Sequence, residues 1–105
     1  MRSHAHVCKR QSVQATAAGR KGIAEWRNRI DRLDEKLVQL MAERMYIVES
    51  VHACKRRYQL PLYSPEREQQ ALAHVKQSAG AHGLDTNLVE SVFLVIARWF
   101  ASPDD

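Results

Sequence analysis

Apolar residues recur every three or four positions from Ile23 onward, which is the period of one face of an α-helix. No glycine or proline interrupts residues 23–60. The pattern therefore predicts one amphipathic helix of about 34 residues, about 50 Å long at 1.5 Å per residue. The apolar face of this helix, here called the seam, consists of Ile23, Trp26, Ile30, Leu33, Leu37, Leu40, Ile47, Val51 and Cys54.

A second helix is predicted after a connection that contains two prolines. Ser64 is expected to cap it, and Pro65 suits the first helical turn. The apolar stripe of this helix is short and reaches Ala79. Gly80 and Gly83 then favour an end to the helix.

A third helix is predicted between Asp85, as its cap, and Pro103, which stops it. Apolar residues surround most of its circumference, so we expect it to be well buried. They are Leu88, Val89, Val92, Phe93, Val95, Ile96, Trp99 and Phe100.

Composition agrees with a single all-α domain. The 105 residues include only four glycines, three prolines and 7% aromatic residues, which disfavours the many short strands of a β-sandwich or barrel. No apolar run approaches the ~18 residues of a membrane-spanning helix. Two cysteines are too few for a disulfide scaffold or a four-cysteine zinc site.

The first helix is too long to be covered by its own chain. A globular body made of residues 23–105 has a radius of gyration of only about 12 Å. We therefore expect the seam to pack against a second copy of the chain in a symmetric homodimer, helix against helix.

Positive charge is concentrated at the start of the chain. The formal net charge is +4, but residues 1–22 carry five basic residues and no acidic one, whereas residues 23–105 carry 11 basic and 12 acidic residues. A balanced body argues against a duplex-binding surface, because the charge that neutralises phosphates has to lie on the folded face. Salt-sensitive nucleic-acid binding through the basic segment alone stays an alternative.

Residues 1–22 are expected to form a disordered basic leader, and residues 23–105 the helical domain. The leader lacks the apolar core of a secretory signal, although its composition is loosely similar to an organelle transit peptide. His4, His6 and Cys8 alternate and could chelate a metal, but a mobile tail offers no preformed geometry. Without an export signal we expect a cytoplasmic protein with reduced thiols and no membrane partner.

Arg44 interrupts the seam. It follows Leu37 and Leu40 at the alternating spacing of three and four residues, so it occupies a position where an aliphatic residue is expected. Lys55 lies 11 residues later, on the same face and about 16 Å along the helix axis. Two long cations that flank one gap can bind a small dianion. The alternative is that Arg44 extends into solvent or pairs with a buried glutamate.

Arg27 is a third candidate, next to the seam residue Trp26. It lies about 25 Å from Arg44 along a straight helix, too far for one small ligand to touch both in the same chain. In an antiparallel dimer, Arg27 of one chain could approach Arg44 of the other. The alternative is a solvated helix arginine.

Ser64, Arg67 and Glu68 lie at the start of the second helix. The free N–H groups of a helix N-terminus, together with a hydroxyl, suit recognition of an anion or a hydroxyl group. The alternative is ordinary capping plus an exposed ion pair worth under ~1 kcal/mol.

Groups for covalent catalysis are not clustered in the sequence. His52, His74 and His82 are scattered and are expected at the surface, and Cys54 is expected to be a packed thiol on the seam. The chain has no glycine-rich phosphate loop.

The chain resembles the all-helical chorismate mutases over roughly residues 23–102, in order and without a gap. The spacing of Arg27, Arg44, Lys55, Arg67 and Glu68 carries the resemblance, because an ordinary amphipathic helix does not require cations at these positions. The matching stretches are WRNRIDRLDEKLVQLMAERM, PLYSPERE, HGLD and VFLVIARWF.

The resemblance implies an intertwined homodimer of three-helix chains with two active sites. It implies the conversion of chorismate to prephenate in phenylalanine and tyrosine biosynthesis, a Claisen rearrangement within one molecule that needs no metal, cofactor or covalent intermediate. No dehydrogenase, dehydratase or synthase segment accompanies the helices, so we expect a free-standing mutase.

The resemblance also assigns roles to individual residues. Arg44 and the Arg27 of the other chain match the family's pair of carboxylate-binding arginines, and Lys55 matches its catalytic lysine. Glu68 matches the carboxylate that accepts a hydrogen bond from the ring hydroxyl of the substrate. Ser64 occupies a position whose backbone contacts that hydroxyl, and Arg67 matches the adjacent site arginine.

The C-terminus departs from the family. Phe100 stands where a serine is common, and Asp104 stands where the family has a glutamine on the ether oxygen. An ionised Asp104 would repel the developing negative charge, whereas a protonated one could donate to it. The alternative is that Asp104 lies in a frayed end outside the site, because Pro103 ends the helix before it.

Two groups of alternatives follow. The same pair of carboxylate-binding arginines and the same lysine would serve an isochorismate-pyruvate lyase or a 4-amino-4-deoxychorismate mutase. The altered C-terminus would also suit a non-catalytic helical module with a regulatory or partner-binding role.

Overall fold

The computed structural model describes residues 16–100, and every regular element in that part of the chain is an α-helix. Helix α1 spans Ala17–Arg57, α2 spans Pro65–Ala81 and α3 spans Thr86–Phe100. The prediction of an all-α chain with one long N-terminal helix and two shorter ones is confirmed. The chain divides into two units, Met1–Ala42 and Glu43–Asp105, and α1 passes from the first into the second.

Helix α1 begins at Ala17, six residues before the predicted start at Ile23. The side chain of Thr16 caps it by accepting a hydrogen bond from the Gly19 N–H at 3.3 Å. Two alanines, the strongest helix formers, occupy the first two helical positions. Residues 17–22 of the expected leader are therefore helical, while residues 1–15, including the possible metal ligands His4, His6 and Cys8, lie outside the described residues.

Helix α1 ends in a Schellman turn. The Leu60 N–H donates to the Lys55 carbonyl at 2.7 Å, and the Gln59 N–H donates to the Arg56 carbonyl at 3.2 Å. This geometry requires a left-handed residue, and Gln59 supplies it with φ 58°. A side chain in this region is unfavourable relative to glycine. The turn reverses the chain directly after the end of α1 at Arg57.

The predicted caps of the two shorter helices are present. Ser64 is extended, with φ −134° and ψ 104°, and its hydroxyl accepts from the Arg67 N–H at 3.2 Å. The carboxylate of Asp85 accepts from the Asn87 N–H at 2.8 Å at the start of α3. Both helix starts were therefore predicted to the residue.

Helix α2 continues through Gly80 to Ala81, slightly beyond the predicted end. Gly83, not Gly80, takes the left-handed conformation, with φ 73°. The Leu84 N–H then donates to the Ala79 carbonyl at 2.8 Å, which makes a second Schellman turn.

Helices α2 and α3 pack against each other. Lys76 on α2 and Glu90 on α3 form an ion pair at 3.6 Å, but both side chains are more than a third exposed, so the pair adds little stability. Among residues 16–100 only Ala79 is fully buried, at 3% exposure. One chain therefore holds almost no hydrophobic core in its described part.

The expectation that α3 is well buried is wrong for the single chain. Leu88, Val95 and Trp99 are 56%, 51% and 78% exposed, whereas Phe93 and Ile96 are half-buried. The physical reason is that α2 covers one stripe of α3, while the apolar residues of α3 extend around most of its circumference.

The seam of α1 is exposed along its length. Trp26, Leu33 and Ile47 are 62%, 59% and 60% exposed. Cys54 is exposed too, so the expectation of a packed thiol is wrong for one protomer, as described by residues 16–100. Within residues 16–100, no helix combines the length and the apolar character that a bilayer crossing requires.

The two Schellman turns predict opposite responses to substitution. Gln59→Gly relieves a left-handed glutamine and is expected to raise the free energy of unfolding by about 0.5–1 kcal/mol. Gly83→Ala is the matched control and is expected to lower it by about 1 kcal/mol through backbone conformation alone, because a Cβ there meets no atom within 4 Å. Urea unfolding at one fixed protein concentration measures both, and a stabilising Gly83→Ala would contradict this account.

Candidate functional site

The structure places most of the predicted site residues in the unit Glu43–Asp105. Arg27 lies on α1 in the other unit and is exposed. Asp104 lies outside the described residues. The remaining five are Arg44, Lys55, Ser64, Arg67 and Glu68.

Arg44 is half-buried, and its guanidinium carbon lies 5.8 Å from the centroid of the Phe93 ring on α3. This distance is within the range of a cation–π contact. Within residues 16–100 no carboxylate lies within ion-pair distance of Arg44, so the alternative of a buried glutamate partner is not met there. The ring orients the guanidinium through its face and leaves its N–H donors available to a ligand.

Lys55 is half-buried at the end of α1, and its ammonium donates to the Leu62 carbonyl at 3.0 Å. The Schellman turn makes this contact possible, because it returns the connection over the last turn of the helix. An ammonium has three N–H donors, and this bond uses one of them. The lysine is thus held against the connection instead of extending into bulk water.

The start of α2 uses its polar groups mainly for capping. The Ser64 hydroxyl accepts from the Arg67 N–H at 3.2 Å and lies 3.5 Å from the Glu66 carboxylate, to which it donates. The Ser64 carbonyl accepts from the Glu68 N–H at 3.0 Å. The capping alternative is therefore confirmed for the Ser64 side chain. Arg67 is exposed, and within residues 16–100 it has no carboxylate partner.

Glu68 is half-buried and has a partner that sequence reasoning missed. The Tyr63 hydroxyl donates to Glu68 Oε1 at 2.7 Å. This hydrogen bond raises the pKa of Tyr63 above its ordinary value, and the negative charges of Glu68 and Glu66 act in the same direction. A signal was available, because Tyr63 precedes the cap and Glu68 occupies the fourth helical position, two sites whose side chains commonly meet at a helix start.

Leu62 and Tyr63 bring the two ends of the site together. Leu62 accepts from the Lys55 ammonium, and the next residue, Tyr63, donates to Glu68. One dipeptide is therefore bonded to the end of α1 and to the first turn of α2. The arrangement offers cations on one face of α1 to a dianion and a carboxylate oxygen to a hydroxyl group.

A family profile described as chorismate mutase type II matches residues 26–102, well over half of the chain. The recognition made from the sequence is confirmed by this match, as is the expectation of an isomerase family. A search of solved structures gave no significant match.

The chain is similar to curated proteins named T-protein, chorismate mutase and isochorismate pyruvate lyase. The T-protein of Enterobacter agglomerans is 40% identical over 72 residues, which cover 69% of this chain and 19% of that protein. The chain thus spans about a fifth of this longer relative. The chorismate mutase of Methanocaldococcus jannaschii is 30% identical over 74 residues, which cover 70% of this chain and 75% of that enzyme.

The isochorismate pyruvate lyase of Pseudomonas aeruginosa is 33% identical over 79 residues, which cover 75% of this chain and 77% of that protein. The alignments with the Methanocaldococcus jannaschii and Pseudomonas aeruginosa relatives therefore each cover most of this chain and most of the relative. With the profile match over residues 26–102, they show that the chain belongs to the chorismate mutase type II family.

Proposed function

We propose that the protein catalyses the rearrangement of chorismate to prephenate. The observation that carries the proposal is the half-buried Lys55, held by the Leu62 carbonyl on the same face of α1 as Arg44. A surface lysine would be fully solvated, whereas this one has a fixed direction. It supplies a donor where the reaction develops negative charge.

The two carboxylates of chorismate are bound by two arginines. Arg44 supplies one guanidinium, oriented by the Phe93 ring. The partner subunit's Arg27 supplies the other. A clamp of this kind selects the folded, diaxial conformer of a flexible substrate and so lowers the entropic part of the barrier.

Lys55 acts on the ether oxygen. Negative charge grows on this oxygen as the C–O bond breaks, so a hydrogen bond from the ammonium is stronger in the transition state than in the bound substrate. Only such differential binding raises the rate of the chemical step. One preorganised donor of this kind typically contributes a factor of about 10²–10³.

Glu68 accepts a hydrogen bond from the ring hydroxyl, and Arg67 supports the charge balance of the site. Ser64 contributes through its backbone, since its hydroxyl is engaged in capping. None of these groups changes its bonding as the reaction proceeds. They fix the orientation of the ring.

The site is completed in a homodimer. Support comes from the seam of α1, whose large apolar residues are all exposed in one protomer. Contiguous apolar surface of this extent marks an interface. An antiparallel second copy covers the seam and delivers its Arg27 to the site of the first chain, which gives two sites for each dimer.

The reaction places the protein on the route from chorismate to phenylalanine and tyrosine. The mechanism requires neither a metal nor an organic cofactor, because all the charge stabilisation comes from side chains. The cytoplasmic location expected from the sequence stays a prediction.

An isochorismate-pyruvate lyase is the second candidate function. The Pseudomonas aeruginosa relative favours it, being 33% identical over 75% of this chain. Arg44, Lys55 and the partner's Arg27 would bind isochorismate through the same two carboxylates. Incubation with each purified substrate decides between them: prephenate from chorismate supports the first function, and pyruvate from isochorismate supports the second.

Lys55→Ala is expected to lower kcat for chorismate by about 10²–10³-fold, since it removes the donor to the ether oxygen. Lys36→Ala, on an exposed position of the same helix, is the matched control and is expected to keep wild-type kcat. Prephenate formation, circular dichroism and light scattering are measured for both. Retention of more than a tenth of the wild-type kcat in Lys55→Ala, with a folded dimer, would refute the assigned role.

Subunit mixing tests whether Arg27 acts across the dimer. Arg27→Ala and Lys55→Ala are each expected to be inactive, but equal amounts unfolded and refolded together form heterodimers with one intact site. Statistical pairing predicts about a quarter of wild-type activity.

Mixing Arg44→Ala with Lys55→Ala is the control, because both residues belong to the same chain of each site. No heterodimer of that pair has an intact site, so no activity is expected. Equal recovery in the two mixtures, or none in the first, would show that Arg27 is not supplied by the other chain.

Asp104→Gln tests the departure at the C-terminus. An ionised carboxylate near the ether oxygen would oppose the reaction by repelling the negative charge that develops there. The substitution introduces a neutral amide donor and is expected to raise kcat at neutral pH at least about tenfold. A wild-type kcat equal to that of Asp104→Gln would exclude Asp104 from the site.

A further inference from the structure

We propose that Tyr63 is a positioning residue, which fixes the Glu68 carboxylate for the substrate's ring hydroxyl. The inference rests on the proposed function and adds to it a residue that the resemblance did not assign. It is carried by the hydrogen bond of 2.7 Å from the Tyr63 hydroxyl to Glu68 Oε1.

The position of Tyr63 explains how it reaches Glu68. Ser64 is the cap of α2, so Tyr63 is the residue before the cap and Glu68 is the fourth residue of the helix. Side chains at these two positions often form an apolar contact that fixes how the chain enters the helix. Here one member is a carboxylate, and the contact is a hydrogen bond.

The contact leaves one carboxylate oxygen for a ligand. Tyr63 engages Oε1, and within residues 16–100 no hydrogen bond to Oε2 is present. A free glutamate side chain has several rotamers and loses this freedom when it binds a ligand. A side chain that is already held in one orientation loses less, so the bound substrate is favoured.

The connection supports Tyr63 from the other side. Leu62, its neighbour in sequence, accepts the hydrogen bond from the Lys55 ammonium at 3.0 Å. The backbone of Tyr63 is therefore restrained next to the residue that contacts Lys55. The Tyr63 side chain itself is 61% exposed, so burial of the ring does not account for its position.

An alkaline titration checks the hydrogen bond. The raised pKa of Tyr63 means that the neutral phenol is favoured beside Glu68 and Glu66. The contact is thus fully present below the ordinary phenol pKa and is lost as the pH rises through the higher folded-state value. Tyrosinate absorbance of the folded protein is expected to include a transition above the ordinary range that Tyr63→Phe removes. Its presence in the variant would contradict the hydrogen bond.

Steady-state kinetics with chorismate test the positioning role. Tyr63→Phe keeps the ring and removes only the hydroxyl, so it is expected to raise KM about three- to tenfold and to leave kcat within about twofold, because the ring hydroxyl is bound equally in the ground and transition states. Tyr58→Phe is the matched control, since Tyr58 is 63% exposed, lies in the same connection and contacts Arg57 instead of the site. It is expected to change neither constant.

A double-mutant cycle identifies the residue through which Tyr63 acts. In a Glu68→Ala background, Tyr63→Phe is expected to leave KM unchanged. The same rise in KM with and without Glu68 would overturn the proposal, as would an unchanged KM in an active Tyr63→Phe protein. A wild-type protein that forms no prephenate would overturn the proposed function itself, which separates the two failures.

Discussion

The hydrogen bond from Lys55 to the Leu62 carbonyl is the contact on which the rest of the site depends. It exists because the chain reverses immediately after α1, in a turn closed by the Lys55 carbonyl and a left-handed Gln59. The backbone and the side chain of one lysine thus bond to two residues of the same short connection, Leu60 and Leu62. The first turn of α2, which carries Glu68, is placed by that connection.

A second constraint is the shortage of buried surface in one protomer. The apolar face of a 41-residue helix is too long to be buried by two helices of 17 and 15 residues. In the proposed homodimer the same exposed apolar face would join the two chains, and the proposed contribution of Arg27 across the interface would make the site depend on that assembly. Leu88 and Trp99 on α3 are exposed as well, so α3 adds to the apolar surface that one protomer leaves uncovered.

Periodicity and punctuation predicted the three helices because both reflect local physics. Ser64 and Asp85 cap as expected, since a cap depends only on a few neighbouring residues. The start of α1 and the left-handed turn at Gln59, after the helix ends at Arg57, escaped prediction: alanines preceding the seam have no amphipathic period, and a glutamine gives no sign of a left-handed turn. The burial of α3 failed for a different reason, because it depends on neighbours that a pattern within one helix does not specify.

The cations of the candidate site can be named from the sequence, whereas their contacts cannot. An arginine that interrupts an apolar face is visible in a sequence, but the aromatic ring beneath Arg44 is not. The nature of the Lys55 acceptor has a further consequence. A carbonyl orients the ammonium without supplying a negative counter-charge, so this contact holds the lysine in place without forming an ion pair. A carboxylate there would have oriented the ammonium equally well, but it would have opposed the positive field that the proposed mechanism requires at the ether oxygen.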